Sequence, residues 1–402
     1  MHAVRNDGAM TVTPYFEQDG VTLYHGDCRE ILAGLPDESV SAVVTDPPYG
    51  LAFMGKRWDY DVPAVEVWHE CLRVLKPGGH LLAFAGTRTQ HRMAVRIEDA
   101  GFEIRDMIAW VYGSGFPKSL DVSKAIDKAA GAERETGPVD EARAKLLVNQ
   151  RGEYTTAAGW SAGSRKVTID PPATPEAKQW QGWGTALKPA LEPITVARKP
   201  LIGTVAENVL QHGTGALNVD GCRVAADDGV NRSRPPRTPS VILGGGKGPN
   251  LTASEHSESG RWPANLIHDG SDEVTRLFPD AGGGAWPANG SKFGYAGGER
   301  KQRGERTEMA DSGSAARFFY TAKADKSDRG PGNNHPTVKP LDLMRYLVRL
   351  VCPIGGVVLD PFSGSGTTLA AAQAEGCLAI GVERETAYCE IIKGRFHQRR
   401  LF

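Results

Sequence analysis

The sequence lacks several features that would assign it to other classes of protein. Its 6 cysteines are scattered without a CxxC pair, so the sequence predicts neither a disulfide framework nor a metal site. No apolar run approaches the ~20 residues that a membrane helix needs. Residues 1–10 lack the apolar stretch of a secretory signal. These absences predict a cytoplasmic protein that makes no contact with a membrane.

A strong charge bias is also missing, because the 402 residues carry a formal net charge of -1. Neutrality does not exclude a nucleic-acid partner, since a DNA-binding groove needs only a local basic surface. The length predicts either one large domain with an elaboration or two to three domains. Composition therefore does not indicate which partner the protein binds, and that prediction depends on the motifs.

Two regions, residues 21–111 and 335–402, have the alternating strand and helix pattern of an α/β domain. Pro77-Gly78-Gly79 is expected to form a turn into a strand. Hydrophobic runs predict strands at 21–24, 41–45, 80–85, 102–111, 357–359 and 378–382. Helical spacing predicts helices at 63–75, 87–100, 341–352, 367–375 and 386–398. This alternation predicts a doubly wound, mostly parallel sheet that is covered on both faces.

The long region between these two parts has a different composition. Glycine, proline and polar residues dominate residues 113–334, yet tryptophans recur at 160, 180, 183, 262 and 286. Simple disorder would be poor in aromatic residues. We therefore expect residues 1–112 and 335–402 to form one domain that carries 113–334 as an irregular insertion.

The first motif is Asp46-Pro47-Pro48-Tyr49-Gly50, which directly follows the apolar run 41–45. Ligands of open α/β sheets bind beyond the carboxyl ends of the strands. The two prolines have no N–H, so this segment presents the Asp46 carboxylate and carbonyl oxygens as acceptors beside a tyrosine ring. Such a set suits an amino group conjugated to a ring, with Tyr49 as a stacking face. The alternative is a proline-rich turn with a helix-capping aspartate.

The second motif is Asp360-Pro361-Phe362-Ser363-Gly364-Ser365-Gly366-Thr367-Thr368, a strand end followed by a small-residue turn and a helix start. Glycines at such a turn allow the backbone to approach a ligand closely. The Gly-Lys-Ser/Thr ending of a phosphate-binding loop is missing, and the third glycine of GxGxxG would fall at Leu369. The turn therefore suits a cofactor without a pyrophosphate, and a plain strand-to-helix turn is the alternative.

An acidic residue follows the next predicted strand, about twenty residues after the glycine turn. Glu383 stands where such folds commonly bind ribose hydroxyls. Glu385 is close enough to compete for that role, and a solvated surface acid is the alternative for both.

The pair DPPYG and DPFSGSGTT resembles the amino-methyltransferases that modify adenine or cytosine in DNA. The first motif precedes the second with a long insertion between them, which resembles the permuted β-class arrangement. The resemblance covers residues 21–111 and 335–402, under half of the chain. It implies a Rossmann-like methyltransferase fold, S-adenosylmethionine as cofactor, and target recognition by the inserted region.

The same resemblance assigns roles to individual residues. Asp27, after Gly26, matches the aspartate that contacts the cofactor's adenine. The segment His335-Pro336-Thr337-Val338-Lys339-Pro340 matches the one that reaches the methionine end, with Thr337 and Lys339 as contacts. The implied catalytic residues are Asp46, Pro47, Pro48 and Tyr49. The implied cofactor residues are Asp27, Thr337, Lys339, Asp360, Phe362, Gly364, Gly366, Thr367 and Glu383.

The implied reaction is methylation of the N6 amino group of adenine in double-stranded DNA after base flipping, within or outside a restriction-modification system. Asp at the first motif position favours adenine, and cytosine N4 is the alternative. Two rivals are a methyltransferase that acts on glutamine amides and a non-catalytic DNA-binding module. Candidate phosphate contacts in the insertion are Arg232, Arg234, Arg237, Lys247, Lys292, Arg300, Lys301, Arg303 and Arg306.

Overall fold

The computed structural model describes residues 12–52, 55, 59–115, 119–135, 170–225, 260–281, 313–322, 325–330 and 332–398. The chain divides into two compact units, of which the first comprises Met1–Trp110 and Pro193–Phe402 and the second Val111–Glu192. Among the described residues, every helix is too short or too polar to cross a membrane.

The regular elements of the described residues alternate along the chain as the sequence predicts. The strands are β1 (Phe16–Gln18), β2 (Val21–His25), β3 (Val40–Thr45), β4 (Leu75–Phe84), β5 (Glu103–Val111), β6 (Leu191–Arg198), β7 (Leu266–His268), β8 (Asp280–Ala281), β9 (Gly313–Ser314), β10 (Tyr320–Thr321), β11 (Val357–Asp360) and β12 (Leu378–Glu383). The α-helices are α1 (Cys28–Ala33), α2 (Val65–Val74), α3 (Gln90–Asp99), α4 (Val122–Ala129), α5 (Pro175–Gln179), α6 (Val205–His212), α7 (Asp272–Thr275), α8 (Leu341–Val351), α9 (Thr367–Ala374) and α10 (Thr386–Gln398).

One large sheet organises the first unit, with the strand order β1-β2-β12-β11-β3-β4-β6-β5-β7-β10. The five neighbours β2, β12, β11, β3 and β4 run parallel to one another, whereas β1 and β6 pair antiparallel with β2 and β4. The predicted α/β class with a mostly parallel sheet is therefore confirmed. Because the five strands share one direction, their carboxyl ends meet at a single edge of the sheet.

The centre of the sheet is covered on both faces. Every residue of β3 is buried, as expected for a parallel strand between two helical layers. On one face, α1, α2 and α3 contribute apolar side chains to a cluster around the fully buried Trp68. The buried side chains of α8 lie outside that cluster although α8 contacts β3 and β4, so α8 covers the opposite face. The arrangement is doubly wound.

The predicted turn at Pro77-Gly78-Gly79 is wrong, because β4 already begins at Leu75. The pairing of β3 with β4 shifts register between Val40 and Ala42, so the tripeptide forms an irregularity within the strand. Gly78 has a φ of 76°, which a residue with a side chain rarely adopts. Two buried side chains donate to the Pro77 carbonyl, Asn208 through Nδ2 at 2.8 Å and Thr214 through Oγ1 at 2.6 Å.

Part of the predicted insertion belongs to the sheet. Strands β6, β7 and β10 come from residues 113–334 and extend the sheet beyond β4. In β6, Ile194 pairs with Phe84 and Arg198 with His80. The sequence did not reveal β6, because Pro193 interrupts the run and polar segments flank it. The role of 113–334 in target recognition stays a prediction.

The second unit contains α4 and α5, which a buried carboxylate holds together. Asp127 accepts hydrogen bonds from the backbone N–H groups of Ala173 and Thr174, at 3.1 and 3.0 Å, and from the Thr174 hydroxyl at 2.7 Å. Arg134 Nε donates to the same carboxylate at 2.6 Å. In the same unit, Trp180 and Trp183 meet edge to face with ring centroids 5.1 Å apart.

Candidate active site

The two sequence motifs lie side by side at one edge of the sheet. Asp46 follows β3 and Asp360 ends β11, and these strands pair in parallel with Leu359 opposite Val43. The Thr45 hydroxyl donates a hydrogen bond of 2.6 Å to Asp360 Oδ1, which links the strand ends directly. Two segments more than 300 residues apart in sequence thus share one site.

The Asp46 carboxylate belongs to a three-residue network. The Tyr49 hydroxyl donates to Asp46 Oδ1 at 2.7 Å, and the Lys339 ammonium donates to Asp46 Oδ2 at 2.7 Å and to the Tyr49 oxygen at 3.1 Å. The Asp46 side chain is 22% exposed and that of Lys339 is 9% exposed. The network orders Asp46 and balances its charge, and the remaining lone pairs of the carboxylate can still accept hydrogen bonds. The sequence predicts Lys339 as a cofactor contact, but in the structure its ammonium is hydrogen-bonded to Asp46, the predicted acceptor of the target amine.

Two aromatic rings flank the Lys339 ammonium. Nζ lies 5.5 Å from the Tyr49 ring centroid and 4.9 Å from that of Phe84. Both distances are in the range of a cation–π contact, which stabilises a cation removed from water. Sequence reasoning did not select Phe84, although it is the fully buried last residue of β4 and therefore lies at the same edge.

A glycine without a side chain, Gly86, lies beside the Tyr49 ring. A Cβ built on Gly86 would lie 3.4 Å from Tyr49 Cδ2 and 3.0 Å from Leu51 Cδ1, so a side chain at position 86 would crowd the loop. Tyr49 is half-buried, Pro47 is buried and Pro48 is half-buried. The stacking role of Tyr49 and the acceptor role of the Pro47 carbonyl stay predictions.

The glycine turn after β11 depends on left-handed backbone at two positions. Gly364 has a φ of 51° and Gly366, which precedes α9, has a φ of 77°. A Cβ on Gly364 would lie 3.0 Å from His335 Nε2, and one on Gly366 would lie 2.9 Å from Ile392. Both strain and crowding therefore require glycine here.

Glu383 places a buried carboxylate against this turn. Its Oε2 accepts the Gly364 N–H and its Oε1 accepts the Glu385 N–H, each at 2.8 Å, and the residue is only 9% exposed. Burial raises the pKa of Glu383 to about 7. The Glu385 side chain, the competing candidate, is 52% exposed and lies near Arg384. Glu383 is thus the buried acid at the turn and has acceptor capacity left for hydroxyl groups.

The Asp360 carboxylate is hydrogen-bonded to other residues of the protein. It is 1% exposed and accepts hydrogen bonds from the Thr45 hydroxyl and, at 3.1 Å, from the Phe362 N–H. Burial raises the pKa of Asp360 to about 6. The Phe362 ring packs edge to face on Trp68, and Thr367 is buried at the start of α9. These contacts hold the turn against β3, and a direct cofactor contact of Asp360, Phe362 or Thr367 stays a prediction.

Two other predicted cofactor segments lie at the same edge. Asp27 caps α1 by accepting the Arg29 N–H at 2.9 Å, and hydrogen bonds from the Arg29 side chain lower the pKa of Asp27. Thr337 is exposed, and its carbonyl oxygen lies 2.5 Å from His335 Nδ1. The His335 ring faces Gly364 and meets the Tyr388 ring at a centroid distance of 4.4 Å. Burial lowers the pKa of His335, a residue that sequence reasoning had not placed against the turn.

The site also contains an acid that the sequence motifs did not indicate. Asp59 is 3% exposed and accepts hydrogen bonds from backbone N–H groups of the loop that follows Asp46. Asp59 lies ten positions after Tyr49 in the sequence, beyond the end of the motif at Gly50. Position within a recognised motif would have been the only sequence signal, and Asp59 lies outside it.

The glycine turn and its neighbours fit S-adenosylmethionine. The left-handed backbone at Gly364 and Gly366 forms the tight turn at the carboxyl end of β11, where ligands of such sheets bind. The buried Glu383 carboxylate has lone pairs that suit ribose hydroxyls. The methionine end would meet the segment around Thr337, as the resemblance implies. The residues present are therefore compatible with this cofactor.

The chain is similar to known DNA methyltransferases over more than half of its length. The model of the N6/N4 DNA methylase family matches residues 40–131 and 262–394, together more than half of the chain. The type II methyltransferase M.HindIII of Haemophilus influenzae is 23% identical over 335 residues, which are 82% of this chain and 67% of that protein. M.BamHI of Bacillus amyloliquefaciens is 38% identical over 84 residues, 18% of this chain and 19% of that protein.

Among solved structures, the PvuII DNA methyltransferase, which is cytosine-N4-specific, is similar with a TM-score of 0.43 and 15% identity over 96% of this chain and 88% of that one. The family match includes β3 with the Asp46 motif, α8, and β11 with the glycine turn. The chain therefore belongs to the N6/N4 family of DNA methylases.

Proposed function

We propose that this protein transfers a methyl group from S-adenosylmethionine to the N6 amino group of adenine in DNA. One observation carries the proposal: the Asp46 carboxylate and the Gly364–Gly366 turn occupy the ends of adjacent parallel strands, linked by the Thr45–Asp360 hydrogen bond. A methyl donor on the turn and an amine on the carboxylate would then lie next to each other. That arrangement suits in-line transfer.

The cofactor supplies an activated methyl group on a sulfonium, so the protein's task is binding and orientation. Glu383, which already accepts the Gly364 N–H, would accept hydrogen bonds from the ribose hydroxyls, and the turn at Gly364 and Gly366 would present its backbone to the ligand. Asp27 and Thr337 lie at the same edge, where we assign them to the adenine and methionine ends. None of these groups needs to change its protonation state during transfer.

The acceptor side acts on the target amine. Its nitrogen lone pair is conjugated with the ring, and hydrogen bonds from its N–H groups to Asp46 and the Pro47 carbonyl would localise that pair on nitrogen. Lys339 balances the charge of Asp46 and, with Tyr49, holds its orientation. The Tyr49 ring offers the face on which a flipped base stacks. After transfer, the extra proton on nitrogen leaves to water.

DNA is the substrate because the family acts on DNA, and an amine inside a duplex must be flipped out to reach Asp46. The nine basic residues predicted as phosphate contacts, between Arg232 and Arg306, lie outside the described residues. Their role stays a prediction, as does recognition by residues 113–334. The named relatives are type II methyltransferases, which supports a role in restriction and modification.

The decisive experiment identifies the methylated base. Purified protein is incubated with unmethylated DNA and S-adenosylmethionine, the DNA is hydrolysed to nucleosides, and the products are analysed by mass spectrometry. N6-methyl-2′-deoxyadenosine is expected, whereas N4-methyl-2′-deoxycytidine would show that the target is cytosine instead of adenine. Cofactor binding without any methylated nucleoside would instead support a non-catalytic DNA-binding module.

A further inference from the structure

Asp59 is the feature of the site that no motif explains. Its carboxylate accepts the backbone N–H groups of three consecutive residues, Tyr49 at 2.6 Å, Gly50 at 3.0 Å and Leu51 at 3.2 Å. The Asp59 carbonyl also accepts the Ala52 N–H at 2.7 Å. Consecutive N–H groups that converge on one anion form a concave site with strong charge-assisted hydrogen bonds. In this chain the anion is an internal side chain.

The two prolines explain why the loop needs such an anchor. Pro47 and Pro48 have no N–H, so Tyr49 carries the first backbone donor after Asp46. Asp59 takes that donor and the next two, so it determines where the loop lies immediately after the acceptor. Its position therefore sets the position of the Tyr49 ring and hydroxyl.

The segment that carries Asp59 is itself tied to the fold. Gly50, with a φ of 68°, approaches it so closely that a Cβ would lie 3.0 Å from the Val62 nitrogen. Arg96 of α3 donates to Asp61 Oδ2 at 2.7 Å and to the carbonyl of Val62. The loop is thus connected through Asp59 and its neighbours to a helix that packs on the sheet.

We propose that Asp59 is a positioning residue that holds the 46–52 loop in the geometry required for methyl transfer. This inference rests on the proposed function for its effect on turnover, whereas the anchoring itself is independent of it. Asp59 acts through Tyr49 and the loop backbone and does not touch the reacting atoms. Loss of the anchor should lower kcat while cofactor binding at the glycine turn is retained.

The test compares Asp59→Asn with Asp37→Asn as a matched control. Asparagine keeps the size of the side chain but replaces one carboxylate oxygen by an NH2 donor, which cannot accept a backbone N–H. Asp37→Asn makes the same chemical change at a side chain that is 74% exposed, is paired with Arg73 and takes no part in holding the 46–52 loop. For Asp59→Asn we expect kcat to fall by roughly ten- to a hundredfold with a cofactor Kd within about twofold of wild type, and for Asp37→Asn both values within about twofold.

Amide hydrogen exchange gives a second readout that does not depend on activity. In the wild type, the amides of residues 49–51 should be protected at least about a hundredfold, because they are bonded to a buried carboxylate. Asp59→Asn should remove that protection while β3 and β11 keep theirs. Unprotected amides at 49–51 in the wild type would overturn the inference even if the variant does not fold. Wild-type kcat in a folded Asp59→Asn protein would also overturn it.

The two readouts separate this inference from the proposed function. A wild-type protein that methylates no DNA but loses loop protection on Asp59→Asn would refute the function and leave the anchor intact. A wild-type protein that methylates adenine, with a variant equal to it in kcat and in exchange, would refute only the role of Asp59.

Discussion

The two strand ends that meet in this site hold their functional groups in different ways. After β3, the acceptor loop is held by side chains that come from elsewhere in the chain, Asp59 on its backbone and Lys339 on its carboxylate. After β11, the Glu383 carboxylate accepts the Gly364 N–H, and the turn also has left-handed glycines at 364 and 366. Side-chain contacts therefore hold both strand ends, and the pair of left-handed glycines is the additional feature of the turn after β11.

The acids on the acceptor side and those beside the glycine turn also have different surroundings. Asp46 is partly exposed and receives hydrogen bonds from a cation and a hydroxyl. Glu383 and Asp360 are buried without a cation in hydrogen-bond contact among the described residues, and burial raises the pKa of both. The comparison teaches that the acceptor carboxylate is oriented by a cation and a hydroxyl, whereas the carboxylates beside the glycine turn are buried with hydrogen bonds from backbone N–H groups and a hydroxyl.

The largest effect is expected from removal of the acceptor itself. Asp46→Ala should lower kcat by about a thousandfold, because the target amine loses the acceptor that localises its lone pair. The cofactor Kd should stay within about threefold, since Gly364 and Glu383 are untouched. Single-turnover methylation and calorimetric titration measure the two quantities. Asp37→Ala, at a side chain that is 74% exposed, is the control, and near wild-type turnover of Asp46→Ala would remove Asp46 from the mechanism.

The next effect should appear at the glycine turn and in binding. Gly364→Val introduces a branched side chain at a φ of 51° and against His335, so the turn must distort and the cofactor Kd should rise by roughly thirty- to a hundredfold. Gly355→Val is the matched control, because Gly355 has a φ of 76° but open space around it. Equal affinities of Gly364→Val and wild type by calorimetry would show that the cofactor binds elsewhere.

The raised pKa of Glu383 predicts a pH dependence of stability. Between its ordinary pKa of 4.5 and about 7, the folded state binds a proton that the unfolded state has released, so this residue's contribution to the free energy of unfolding falls as pH rises. Relative to wild type, Glu383→Gln should therefore gain about 2 kcal/mol between pH 5 and pH 8. Urea unfolding of both proteins at the two pH values measures this change. A stability difference that is independent of pH would contradict the raised pKa.

The smallest effect is expected at Lys339 and distinguishes two roles for it. Lys339→Met removes the ammonium from Asp46 and should lower kcat by about tenfold, the value of one charged hydrogen bond. The cofactor Kd should not change if Lys339 serves the acceptor. Lys199→Met, whose ammonium donates to the Leu75 carbonyl at 2.7 Å, is the control. If Lys339→Met weakened cofactor binding and left kcat unchanged, the result would support the cofactor contact that the sequence predicts for Lys339.

Sequence reasoning was most successful where the signal is local. The buried run before Asp46, the glycine turn before α9 and the final helix Thr386–Gln398 all follow from neighbouring residues, and the structure contains each of them. It was wrong about Pro77-Gly78-Gly79, because the contacts of Asn208 and Thr214 with Pro77 come from a distant segment. Strand β6 was missed because Pro193 interrupts its run, and Asp59 was missed because it lies outside the motif whose backbone it binds.

By itself, the sequence determined the α/β class, the two motifs and the order in which they occur, because hydrophobic periodicity and turn residues act over a few positions. Only the tertiary structure decided that Lys339 contacts Asp46, that Glu383 rather than Glu385 is the buried acid, and that Asp59 holds the loop. These pairings join residues that are brought together by sheet order and helix packing. Their energies depend on distance and burial, which no local pattern of residues specifies.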